Sequence, residues 1–150
     1  MKSLWGDLSD IEEIKTPQEI LNEQASFLNS FTESTVLAKL IKARPIQFGK
    51  ELEFSRDDIF KFEFLLTCPK IPNYSYKIFR MEHSVQLYPI SLRIEESIIE
   101  EIEPLNDKYK LYDEVIANDE KEFLSILKDV LSSKTIMKVI SSLISLSKSI

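Results

Sequence analysis

Cysteine, histidine and glycine are nearly missing from this chain: Cys68 and His83 stand alone, and the glycines number 2 in 150 residues. A lone cysteine closes no intramolecular disulfide, so the sequence implies no oxidising compartment. With a single histidine beside it, the usual zinc sites of four Cys and His ligands cannot be built within one chain. So few glycines exclude most phosphate-cradling loops, whose backbone needs positions that glycine fills most easily. No metal and no cofactor is expected. The opening segment MKSLWGDLSDIEE has no apolar signal core, and no apolar run reaches membrane-span length. The expectation is a cytoplasmic protein without a membrane partner.

Positive charge is also short. The formal charge is −6, with an isoelectric point near 4.9, and an acidic chain repels phosphate backbones. One basic patch, Lys39, Lys42, Arg44 and Lys50, is followed at once by Glu51, Glu53, Asp57 and Asp58. It reads as a solvated strand and loop, and nucleic-acid binding is not expected. Hydrophobic residues at 43% and charged residues at 29% are an ordinary globular balance. The chain reads as one domain over residues 1–150, long enough to bury a sizeable core.

What is present is a run of three strands between Asp58 and Ile94. Ile59 to Leu66 alternates large apolar residues with charge, which lines Phe60, Phe62, Phe64 and Leu66 along one buried face and leaves Lys61 and Glu63 wet. A Pro72-Asn73 turn leads to a strand over Tyr74–Met81. A tighter turn at His83-Ser84 leads to a third strand over Val85–Ile94. On that spacing Tyr74 and Tyr76 share a face with Ile78, and Phe79 falls on the other.

Before this run, residues 1–15 are acidic, with Trp5, Leu8, Ile11 and Ile14 recurring every three residues. They read as an extended arm that docks on its own domain or on a neighbour, with Trp5 either a cover for the edge of the core or an interface anchor. Thr16, Pro17 and Glu19 form a helix start with a capping-box pattern. Ile20, Gln24, Phe27, Leu28 and Phe31 then share one helical face over residues 17–31, with Leu21 and Ala25 beside them. Thr35 to Ile46 reads as a further strand, with Pro45 near its end. Gln47 to Asp57, holding Gly49, reads as a long hairpin loop.

After the run, residues 95–117 fit either a short helix or an extended hairpin arm, with Pro104 to Lys108 as a turn and Lys110–Ile116 as a strand. Residues 119–150 form a helical pair. Asp119 caps the first helix, and Ser132-Ser133 makes the break and the next cap. The last helix, with Ile136, Met137, Val139, Ile140, Leu143, Ile144 and Leu146, is apolar over more than half its circumference. That width calls for packing partners on two sides.

No catalytic constellation assembles. His83 near Ser84 or Cys68 would need a nucleophile within reach and a third group to orient it, and no G-x-S-x-G elbow surrounds Ser84. The run Glu95, Glu96, Glu100, Glu101, Glu103 reads as a solvated acidic face. Tyr74, Tyr76, Phe79 and Tyr88, interleaved with Lys77, Arg80 and Arg93, read as core packing rather than a base-stacking platform.

The segment PNYSYKIFRMEHSVQLYPISLRI at 72–94 and the helix start TPQEILNEQ at 16–24 resemble a group of small uncharacterised bacterial proteins. The shared features are a threonine–proline helix start and an N-Y-x-Y strand leading to an L-Y-P strand. The resemblance covers about a third of the chain and carries no catalytic motif, so no functional residue transfers. It implies a bacterial cytoplasmic domain of the kind sometimes carried on mobile or defence-related gene clusters.

The fold expected is α+β: an N-terminal helix, an antiparallel sheet of four to five strands, and a C-terminal helical pair packed on one face. The function expected is a non-enzymatic protein–protein interaction module, such as an accessory subunit or an immunity- or antitoxin-like component, partnered by another protein or by itself as an oligomer. Its surface would be Trp5 with Ile136, Ile140, Leu143 and Ile144. The alternative is a small-molecule or nucleotide-sensing domain with a pocket between sheet and helices, where Tyr76, Arg80 and His83 supply the polar lining.

Overall fold

The structure, a computed structural model, describes residues 1–43, 59–102 and 114–150. The expected loop at Gln47–Asp57 with its Pro45 approach, the Pro104–Lys108 turn, and Arg44 and Lys50 of the basic patch lie outside the described residues. The elements in order are a 3-10 turn (Leu8–Asp10), α1 (Pro17–Phe31), β1 (Leu37–Lys42), β2 (Ile59–Thr67), β3 (Ser75–Ser84), β4 (Ile90–Ile94), α2 (Glu96–Glu101), β5 (Val115–Ala117), α3 (Glu120–Leu131) and α4 (Lys134–Ser149). The fold is α+β, with an N-terminal helix, a five-stranded antiparallel sheet and a C-terminal helical pair.

The sheet follows chain order, β1-β2-β3-β4-β5, every pair antiparallel. Cross-strand partners share a face. Ala38 with Leu66, Phe62 with Met81, Leu92 with Met81 and with Val115 therefore all point one way. That face joins Ile20, Leu21 and Ala25 of α1, Ile98 of α2, Phe123, Ile126 and Val130 of α3, and Ile136 and Leu143 of α4 in one core. The other face carries Lys39, Glu63, Lys77, Arg80 and Arg93 by the same register. Ion pairs run across it, Lys77 to Glu63 at 3.2 Å and Arg93 to Glu114 at 3.4 Å.

Phe64 pairs with Phe79 and Leu65 with Lys77, so Ile78 faces no partner and β3 bulges there. The bulge puts Ile78 and Phe79 both at 1% exposure in the core. This corrects the strict alternation that placed Phe79 opposite Tyr76 and Ile78. Phe60 also departs from expectation: it is on the core side but 41% exposed, at the open end of β2. His83 and Ser84 belong to β3 rather than to a turn, and the chain reverses at Val85-Gln86, leaving β4 only Ile90–Ile94.

The expected caps are present. Thr16 accepts from the Glu19 amide at 3.1 Å and Asp119 from the Glu122 amide at 2.8 Å. Asp119 and Glu120 also act on Tyr88, whose ring meets Phe123 edge-on at 6.5 Å. Burial, then the charges of Glu120 and Asp119, push the Tyr88 phenol from 10.0 up to about 12. The folded state thus holds this proton more tightly than the unfolded chain. The stabilisation is complete below pH 10 and is lost as pH rises toward 12. Tyr88→Phe is expected to flatten the fall in denaturation midpoint across that window; an unchanged slope would show that Tyr88 does not cause it.

Candidate functional site

Where α1 and α4 lie side by side on the sheet they leave an apolar trough. Its floor is Phe64, Leu66 and Ile78, and its lips are Phe27 and Phe31 of α1 and Met137 of α4, around about 280 Å³ of open volume. Through Gln24, Leu131 and Met137 it runs on into a second hollow, of about 460 Å³, bordered by Leu124 and Lys128 of α3. Phe27, Phe31 and Met137 are 70%, 85% and 56% exposed, large apolar side chains that the fold does not use.

Both walls are pinned. At the end of α1, Asn29 Oδ1 accepts from the Ala38 amide at 2.9 Å, and buried Thr32 bonds both ways with the Val36 backbone, at 2.9 and 3.2 Å. These bonds tie α1 to β1. At the start of α4, Ser133 accepts from the Ile136 amide at 3.2 Å. Glu101 of α2 accepts from the Lys134 and Thr135 amides at 2.7 and 2.8 Å and from the Thr135 hydroxyl at 2.8 Å. A carboxylate on the open amides of a helix start satisfies donors that have no partner within the helix. At the far end of α4, the Ser147 hydroxyl lies 2.9 Å from Cys68 Sγ, and Lys70 Nζ donates to the Ser147 carbonyl at 3.2 Å.

Glu95 and Glu101 therefore belong to helix starts rather than to a merely solvated face, since Glu95 accepts from the Ser97 amide at the head of α2 at 2.8 Å. Burial pushes the Glu101 carboxyl up, but the bonds from Thr135 and Lys134 and the Lys134 charge outweigh it, and its pKa lies below the usual value.

The expected interaction residues separate. Trp5 is 78% exposed on the arm, but Ile136 and Leu143, at 2% and 3%, are spent in the chain's own core and cannot form a surface. Ile140 and Ile144 are half-buried beside that core. The second packing side that the wide stripe of α4 called for is thus mostly supplied from within. Phe27 and Phe31 were expected on the packed face of α1 and lie outside it; buried Ile20, Leu21 and Ala25 set that face one step around the helix. Their i, i+4 spacing was the available signal for a second apolar edge.

Tyr76, Arg80 and His83 do not meet. Tyr76 and His83 point to the core side at opposite ends of β3, and Arg80 points to the other face. Tyr76 donates to Glu95 at 3.4 Å, while Arg80 Nε lies 3.6 Å from Glu82. His83 has Nδ1 at 2.8 Å from its neighbour's Ser84 carbonyl and stacks on Phe60 with ring centres 5.5 Å apart. It borders a shallow hollow with Gln18 and Leu87. His83 Nε2 and Gln18 Oε1 are buried without a hydrogen-bond partner among the described residues. Among those residues, too, no group of three or more His, Cys, Asp or Glu could hold a metal ion. No single described helix is long and apolar enough to cross a membrane.

Comparison with known proteins returned nothing: no family model, no curated protein and no solved structure matches this chain.

Proposed function

We propose that this chain is a non-enzymatic protein–protein interaction module, an accessory, immunity- or antitoxin-like component of a bacterial system, docking through the trough between α1 and α4. The observation that carries this reading is the set of exposed lips, Phe27, Phe31 and Met137, over an apolar floor. Aromatic and methionine side chains are enriched where partners bind, and an apolar groove between helices suits an amphipathic segment. Pinning of both walls keeps the groove formed before a partner arrives, which lowers the ordering cost of binding.

The test places a photo-cross-linking residue at Phe31 in the full chain in its native cell. The expected result is one dominant protein adduct, reduced at least about tenfold by Met137→Glu. Absence of any protein adduct would overturn the reading. The second reading, a small-molecule-sensing domain, is favoured by one observation: the two unpartnered acceptors at His83 and Gln18 beside a hollow. It expects a thermal-shift hit among amine-bearing small molecules that His83→Phe abolishes.

A further inference from the structure

Among the described residues the arm and the trough are both unpartnered, and they match. Every residue from 1 to 15 is exposed, including Leu4 at 94%, Trp5 at 78%, Leu8 at 56% and Ile11 at 70%. Among the described residues the arm's side-chain bond to the domain is at its base, Lys15 to Glu23 at 2.5 Å. Leu4, Leu8 and Ile11 fall at i, i+4 and i+7, the spacing by which an amphipathic helix presents anchors to a groove. A 3-10 turn at Leu8–Asp10, capped by Asp7, already begins to wind this stretch.

Charge agrees with shape. The arm carries Asp7, Asp10, Glu12 and Glu13 against Lys2 and Lys15. Among the residues bordering the trough and its extension the charged one is Lys128. Helix α4 contains Lys134, Lys138 and Lys148 and no acidic residue; Lys134 and Lys148, three before and eleven after Met137, follow the same exposed stripe.

Resting on the interaction reading above, we infer that the trough receives the arm of a second copy of this chain, with Trp5 as the buried anchor, so that two copies exchange arms reciprocally. A foreign partner would leave the chain's own apolar arm uncovered, whereas a two-fold exchange uses both arms and both troughs and closes on itself. In the structure the arm stands clear of its own trough, and covering it in cis would require the arm to reverse along α1.

Trp5 is the sole tryptophan, so its emission reports the anchor directly. The experiment measures mass by light scattering over a dilution series of the full chain, wild type and with Trp5→Ser, Trp5→Phe or Met137→Glu, and Trp5 emission in the wild type and Met137→Glu. Both positions changed are exposed, and circular-dichroism melting checks that each variant is folded. The expected result is a species of twice 17.5 kDa whose emission shifts to the blue as it forms. Trp5→Ser and Met137→Glu are expected to weaken it at least about thirtyfold, and Trp5→Phe to retain most of it. Added salt should weaken it further, because the acid–lysine contacts are solvent-exposed.

Blue-shifted emission that is independent of concentration in a monomer would mean docking in cis and overturn the exchange. A dimer lost with Met137→Glu but kept with Trp5→Ser would overturn the arm as occupant while leaving the trough an interface. A monomer with solvent-exposed Trp5 at every concentration would overturn the inference alone, since the Phe31 cross-link decides separately whether another protein fills the trough.

Discussion

Phe79→Ala is expected to remove roughly 3–5 kcal/mol of stability and to lower the melting temperature by roughly 10–15 °C. Phe79 is 1% exposed and packs on Phe64 with ring centres 5.4 Å apart. The β3 bulge brings Ile78 into the same core, so the two occupy consecutive positions where a regular strand would bury only one. Truncating Phe79 leaves a hole that Ile78, already packed at 1% exposure, cannot fill without moving. Phe60→Ala supplies the contrast: the same residue type on the same sheet face, but 41% exposed, should cost less than half as much. Chemical denaturation of both variants measures the difference. Equal losses would mean that Phe79 does not occupy the tight site that the bulge creates.

The second large effect is expected from Ile98→Ala, at roughly 2–5 kcal/mol. Helix α2 has six residues, Glu96–Glu101, and Ile98 is its buried one, at 0% exposure. A helix this short is not stable by its own hydrogen bonds and depends on the packing of its anchor. Losing the anchor should also loosen Glu101 from the Lys134 and Thr135 amides. Two readouts follow besides global stability. Amide exchange in α2 should accelerate toward unprotected rates while α3 keeps its protection, and the Glu101 carboxyl, followed by NMR, should titrate closer to its ordinary value. Its depressed pKa means that the contact stabilises above the ordinary carboxylate range and weakens as pH falls through the depressed value. Unchanged protection in α2 would show that Ile98 is not what holds it.

Local chemistry made much of this fold legible. Thr16, Asp119 and Ser133 mark helix starts because their side chains accept bonds from amides two or three residues on, a signal contained in four consecutive residues. The strands at Ile59 and Ser75 were readable from apolar density. What escaped depended on partners far away in sequence. The bulge at Ile78 arises from how β2 and β3 fit, and nothing in the string SYKIFRM signals it. On α1 the apolar arc from Ile20 to Phe31 is wider than one contact can cover, and the site of β1 decides which edge is buried. That decision turned Phe27 and Phe31 outward and made the trough. For α4 an apolar stripe shows that partners are needed, but not that Ile136 and Leu143 find them within the chain. Trp5 is 78% exposed on the arm, so it does not cover the edge of the core, the other role that its place in the sequence allowed.

Chain order within the sheet bears on how the protein is made. Each strand pairs with the one synthesised just before it, so no strand waits for a distant mate, and the β2–β3 hairpin can close over the short Cys68–Tyr74 connection at little entropic cost. The helices α3 and α4, however, arrive after the last strand. During synthesis the greasy side of the nascent meander is therefore shielded, among the described elements, by α1 and α2 alone. Its most aggregation-prone moment falls between emergence of Ala117 and docking of Phe123, when a holding chaperone would have most to cover.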